Sequence, residues 1–389
     1  MQRLKNYIFI SIFLSGIAYS YFTATGLFAF RALSFAGLSF FYLFISMNFS
    51  LRIKELNKDF FSVNPISIYL LVVFIILIFS LTRTKIDYIT LFFHPYAFPA
   101  FFLAVVALFV NKNSISFLSL VSSYMTKLIP LFTIIDLIIF KHPIMLVAGY
   151  SFLLFDFLTT TSTKRKLFIV LLLLAAINFF RLYDYRSGII VITIFLLAFL
   201  SSRIFKLVRS KMLKFTFLVA SFTLVYFLFF YFAEMFEYLT SSIKAETLSK
   251  TDSRSFLFIE LFSDLKRADY AMGRGYLGTY YSPYFKEWLG DGGDSSQRFS
   301  VEIGFLQIIL KGGLLLLITT ILLFIKSIYF GIINYKPNSF KFLIAAWLLI
   351  EFAMLSVENF PSFGVHFFFI WILIGILNKP KRKFTPAFA

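Results

Sequence analysis

Hydrophobic and polar positions along this chain fall into long blocks, without the short alternation of a soluble domain. Apolar runs cover about residues 7–28, 32–50, 65–81, 97–110, 116–140, 143–160, 167–180, 189–200, 215–232, 301–325, 342–357 and 363–377. Runs approaching 20 apolar residues predict membrane-spanning helices. The pattern therefore predicts an all-α integral membrane protein of about 12 transmembrane helices. Lys127 and Pro130 fall inside the fifth run and predict that it is either kinked or partly interfacial. One long hydrophilic stretch, residues 233–300, interrupts the pattern between the ninth and tenth spans. It predicts a single large extracytoplasmic loop within one polytopic membrane domain, 1–389.

Composition supports this reading. Of the 389 residues 60% are hydrophobic, more than a soluble domain can bury. There is no cysteine, which excludes disulfides, thiolate metal sites and cysteine nucleophiles. The net charge of +18 would suit nucleic acid, but its distribution argues otherwise. Of the 37 Lys and Arg, 21 lie in segments on the side of the termini, against six in the short loops opposite. Short basic loops stay cytoplasmic. Both termini are thus expected in the cytoplasm and the large loop outside, with no nucleic-acid partner.

The candidate chemistry gathers at the expected outer side. Gly273-Arg274-Gly275-Tyr276 lacks the Gly-Lys-Ser/Thr ending of a nucleotide-binding loop, yet such a turn can aim N–H groups and a guanidinium at phosphate. Arg254 precedes Phe258, Leu261, Phe262 and Leu265 at helical spacing, which predicts an amphipathic helix lying on the membrane with a cation in its apolar stripe. Arg181 and Arg186 flank the 182–185 turn, with Asp184 as a possible structural partner, and Arg186 enters an apolar run. Arg298 and Glu302 stand where the loop rejoins the tenth span. A carboxylate at a helix start is favoured by the dipole, while burial would raise its pKa towards that of a general base. Lys311, beside Gly312-Gly313, lies inside that span and either snorkels or pairs within the bundle. His94, His142 and His366 fall at outer span ends without metal-ligand spacing, so interfacial structural roles are expected.

This layout resembles the bacterial O-antigen polymerases (Wzy-type) and the related O-antigen ligases, polytopic glycosyltransferases of the inner membrane with one large periplasmic loop late in the chain. The local patterns that carry the resemblance are 185–190 (Tyr-Arg-Ser-Gly-Ile-Ile), Ser253-Arg254-Ser255 followed by 273–276, and 302–306 with Lys311-Gly312-Gly313. The resemblance implies an inverting, metal-independent glycosyl transfer without a cofactor, polymerising undecaprenyl-diphosphate-linked repeat units for O-antigen or another polysaccharide. Donor and acceptor would both be lipid-linked glycans, and a chain-length regulator is an implied partner. Glu302, Arg186 and Arg254 would be catalytic. Arg181, Arg274, Tyr276, Arg298 and Lys311 would bind substrate. The ligases use a histidine near the end of the loop, and none occurs between Glu234 and Ser300. That favours polymerase over ligase, with a lipid-linked oligosaccharide flippase as the alternative from another class.

Overall fold

A bilayer offers no partner to a free peptide N–H or C=O, and a helix satisfies both within one segment. The computed structural model describes residues 10, 19, 35–43, 45, 65–82, 87–183, 186–204, 210, 212–216, 219–220, 223, 255–283, 297–336, 339–356, 358 and 361–378. Helix dominates them. The longer helices are Pro65–Leu81, Lys112–Ile135, Ile144–Thr159, Thr163–Leu182, Arg186–Ile204, Ser255–Asp264, Gly304–Asn334, Phe340–Met354 and Val365–Asn378. Most of the expected first and ninth spans, about half of the second, and residues 233–254 and 284–296 of the polar stretch lie outside the described residues.

Three stretches, Tyr88–Phe109, Lys112–Ile138 and Gly304–Asn334, are long and apolar enough to cross a membrane. The first is not one smooth helix. Tyr88–Phe93 and Phe98–Phe102 are separated by a turn containing Pro95, and a 3-10 segment at Leu103–Val105 leads into Val106–Phe109. Lys112–Ile135 runs through Pro130 as one helix and ends in a π-helical turn, Asp136–Phe140. Asp136 then accepts the N–H groups of Met145 (3.0 Å) and Leu146 (2.8 Å), satisfying donors at the start of the next helix.

Gly304–Asn334 packs against Pro65–Leu81, Phe340–Met354 and Val365–Asn378, and these four helices carry much of the buried core. Lys112–Ile135 is peripheral. Its Leu120, Tyr124, Leu128, Leu131 and Ile134 form an exposed apolar face of the kind that lipid covers and water does not.

Long-range contacts sort the helix ends. At one end the Phe363 N–H donates to the Pro95 carbonyl (2.7 Å) and the Gly304 N–H to the Glu358 carbonyl (2.8 Å). At the other, Lys214 Nζ donates to the Tyr335 carbonyl (2.9 Å) and Asn378 Nδ2 to Ser327 Oγ (2.7 Å). The 255–283 and 297–303 segments of the polar stretch sit at the first of these ends.

Candidate functional site at the loop–helix junction

The site is built around an interruption in Gly304–Asn334. Gly313 has φ 62° and ψ −163°, a conformation open essentially to glycine alone. At 1.5 Å per residue the break lies about 14 Å along the helix from Gly304. Breaking a helix strands carbonyl and N–H groups, and the loop supplies a partner. The Arg274 N–H donates to the Leu310 carbonyl at 2.8 Å. Gly273 also has positive φ (66°), and a Cβ there would stand 2.7 Å from the backbone nitrogens of both Gly312 and Gly313. A Cβ on Gly313 would stand 2.4 Å from the Ala271 carbonyl. Backbone meets backbone, so the 269–278 segment of the loop plugs into the membrane bundle.

Side chains fix the plug. Tyr276 is fully buried between Phe98 and Phe101. Its backbone N–H donates to Ser80 Oγ (2.9 Å) and its hydroxyl to the Val73 carbonyl (3.0 Å). Lys311 does not snorkel: it is fully buried, its Nζ donates to the Gly278 carbonyl at 2.7 Å and stands 3.4 Å from the Phe299 ring centroid. It closes the first half of the broken helix by tying it to the loop's Gly278 carbonyl, with the Phe299 ring face against its Nζ. Arg274 donates to Asp269 Oδ2 (3.1 Å), Asp264 Oδ2 (2.6 Å), the Thr279 carbonyl (2.8 Å) and the Asp264 carbonyl. Burial alone would lower the pKa of this guanidinium. The hydrogen bonds and charges of Asp264 and Asp269 outweigh that and push it up. Arg274 thus holds the turn that carries it.

The mouth lies just above. Tyr280–Tyr281 and Gln297–Arg298 form a two-stranded antiparallel ribbon with Tyr280 opposite Arg298. Arg298 pairs with Glu302 at 3.1 Å, and the Glu302 side chain remains 43% exposed. Glu302 does not begin the helix as the sequence suggested. The helix starts at Gly304, and its first donors go to the carbonyls of Glu358 and Leu355. Glu260 accepts a hydrogen bond from Ser282 (2.6 Å). The Tyr280 hydroxyl is pushed up to about 12, chiefly by burial; Arg298 opposes this, and Glu260 and Glu302 add to it. His94 meets the Phe299 ring edge-on at 4.3 Å, and Gln307 joins the Val301 N–H to the Tyr96 carbonyl.

The structure therefore brings Arg274, Tyr276, Arg298, Glu302 and Lys311 into one region. Arg181 is exposed in the last turn of Thr163–Leu182, which packs on Ile144–Thr159 and Arg186–Ile204. Arg186 is the first residue of its helix, and Arg254 lies outside the described residues. The amphipathic helix predicted after Arg254 exists as Ser255–Asp264, but Phe258, Leu261 and Leu265 of its predicted stripe are buried against protein. A surface helix resting on lipid would leave that stripe uncovered by protein.

A second polar cluster was not singled out from the sequence. Glu351 is fully buried. Its carboxylate accepts Trp347 Nε1–H (2.7 Å) and stands 3.0 Å from His366 Nε2. His366 Nδ1 in turn meets Tyr150 Oη (2.8 Å) and Ser151 Oγ (3.0 Å). The signal was a lone carboxylate inside an apolar run, which rarely occurs without a partner. His366 thus ties three helices together and is more than an interfacial residue.

No protein-family model, curated protein or solved structure shows a significant match to this chain.

Proposed function

We propose that the chain is an integral membrane glycosyltransferase that polymerises undecaprenyl-diphosphate-linked repeat units at the outer face of a bacterial inner membrane. The observation that carries this reading is the loop plugged into the broken Gly304–Asn334 helix, with the partly exposed Arg298–Glu302 pair at its mouth. Such a junction suits a substrate whose lipid lies in the bilayer and whose sugars lie outside it. In the proposal, about twelve spans cross the membrane with both termini cytoplasmic. The sorting of helix ends supports that sidedness, because basic Lys214 and Lys341 share the end opposite the loop.

In the transfer, an acceptor hydroxyl attacks the anomeric carbon of the donor. The new carbon–oxygen bond forms as the bond to the diphosphate breaks, and the electron pair leaves with the diphosphate. Glu302 takes the acceptor's proton. Arg186, Arg254 and Arg298 would stabilise the departing charge, since guanidinium forks bind phosphate oxygens bidentately. Arg274, Tyr276 and Lys311 act by holding the loop in place. Neither metal nor nucleotide enters this scheme, because the diphosphate is already a good leaving group.

One observation favours ligase as a second reading: His94 stands against Phe299 at the end of the loop, where the loop itself has no histidine. Purified protein in proteoliposomes with a lipid-linked repeat unit separates the readings. A ladder of lengthened lipid-linked glycans supports the polymerase. Transfer only to lipid A–core supports the ligase, and movement across the bilayer without new bonds supports a flippase.

A further inference from the structure

His94 occupies the turn between Tyr88–Phe93 and Phe98–Phe102. Its backbone N–H closes the first helix on the Thr90 carbonyl (3.1 Å), and its carbonyl accepts the Ala97 N–H (3.1 Å). Its side chain is held as well. The Tyr96 backbone N–H donates to His94 Nδ1 at 3.3 Å, and the ring meets Phe299 edge-on. A backbone amide can only donate, so Nδ1 is the nitrogen with the free lone pair. A neutral imidazole then carries its proton on Nε2. Among the described residues no hydrogen bond from Nε2 is made, and the ring is only partly buried. The same Phe299 ring faces the buried Lys311 Nζ, 3.4 Å from its centroid, and Arg298 is the next residue along the chain. The position thus offers one uncharged N–H donor beside the Arg298–Glu302 pair, where it can meet an anionic oxygen.

We infer that His94 is a neutral hydrogen-bond donor, through Nε2–H, to the diphosphate oxygens of the lipid-linked donor, and is not the proton acceptor of the reaction. This rests on the glycosyl-transfer reading and adds a role within it. As the bond from the anomeric carbon to the diphosphate breaks, charge grows on the departing oxygen. Nε2–H donates to that oxygen and keeps its proton, while the acceptor's proton goes to Glu302. A donor already in place costs no reorganisation as the charge develops. On this assignment the histidine beside the loop end is a donor to the diphosphate, where the ligase reading would make it the base.

Two substitutions separate donor from base. His94→Gln places an amide N–H near the position of Nε2; His94→Asn places its amide near Nδ1 and leaves the Nε2 position empty. In proteoliposomes of phosphatidylcholine, His94→Gln is expected to keep turnover within about fivefold of wild type, and His94→Asn to lose about 100-fold. Undecaprenyl diphosphate should bind wild type and His94→Gln alike and His94→Asn more weakly. Replacing the bilayer with anionic phosphatidylglycerol should not abolish that difference; if it does, the donor serves bilayer headgroups and the inference falls. Equal turnover of the two variants, both active or both inactive, also overturns it. A readout independent of activity comes from nitrogen-15 NMR of histidine-labelled protein. The chain has three histidines, so the signal lost in His94→Gln is identified directly. It should show the Nε2–H tautomer at neutral pH, and an Nδ1–H tautomer contradicts the inference. A wild type that makes no polymer overturns the glycosyl-transfer reading itself. A polymerising wild type with an inactive His94→Gln overturns only the role of His94.

Discussion

The backbone N–H of Arg274 donates to the carbonyl of Leu310, 2.8 Å away, across a break in a helix long enough to span a membrane. That bond joins the polar loop to the buried bundle. An unpaired carbonyl there costs far more than it would at a surface. The loop and the helix therefore complete each other.

Alanine at Gly313 or Gly273 should separate them. Each substitution imposes positive φ on a residue with a Cβ and drives that atom to within 2.4–2.7 Å of facing backbone. The expected cost is on the order of 2 kcal/mol or more. Thermal unfolding in detergent should show a clear fall in Tm, and limited proteolysis should cut the 255–283 segment faster. Wild-type stability for both variants would contradict the plug.

Arg274→Lys should fail to restore the loop, because one ammonium cannot reach Asp264, Asp269 and the Thr279 carbonyl together. Protease sensitivity of the loop should rise in Arg274→Lys and Arg274→Ala alike. If both keep a protected loop and lose only affinity for undecaprenyl diphosphate, Arg274 is a substrate ligand and its structural assignment fails.

The Glu351–His366 pair should be worth measuring as a pair. Removing one partner of a buried charged contact typically costs about 3–5 kcal/mol, part of which reflects the group left behind. Glu351→Ala and His366→Ala should each destabilise strongly, and the double variant by less than their sum. A double-mutant cycle should report coupling of roughly 1–3 kcal/mol. Strict additivity would show that the contact between them contributes little.

How much of this was legible in the sequence depended on range. Pro65–Leu81 has the bounds the sequence predicts, because an apolar run flanked by polar residues carries its own signal. The grouping of Arg298, Glu302 and Lys311 was visible too, since they are neighbours along the chain. The environment of Tyr276 was not: its partners Ser80 and Val73 lie 196 and 203 residues earlier, and no local pattern announces them. Gly312-Gly313 stands beside Lys311 in the sequence, but a glycine pair inside an apolar run is as compatible with an unbroken helix as with a broken one. Burial of Lys311 follows from that break, which gives its Nζ a carbonyl and an aromatic face in place of the interface.

Sidedness can be tested separately. Reporter fusions placed after Lys214 and after Gly292 should report opposite faces of the membrane, with Lys214 cytoplasmic. The same face for both would contradict the topology and remove the loop from the substrate's side.

The most direct test of the central claim is Glu302→Gln in the reconstituted reaction. The substitution keeps size and a hydrogen-bond partner for Arg298, but it cannot take up the acceptor's proton. With a lipid-linked repeat unit in proteoliposomes, wild type should extend the glycan into a ladder. Glu302→Gln should bind undecaprenyl diphosphate normally and lose polymerisation by about 100-fold or more. A Glu302→Gln variant that builds the ladder within a few-fold of wild type, or a wild type that builds none, would contradict the account.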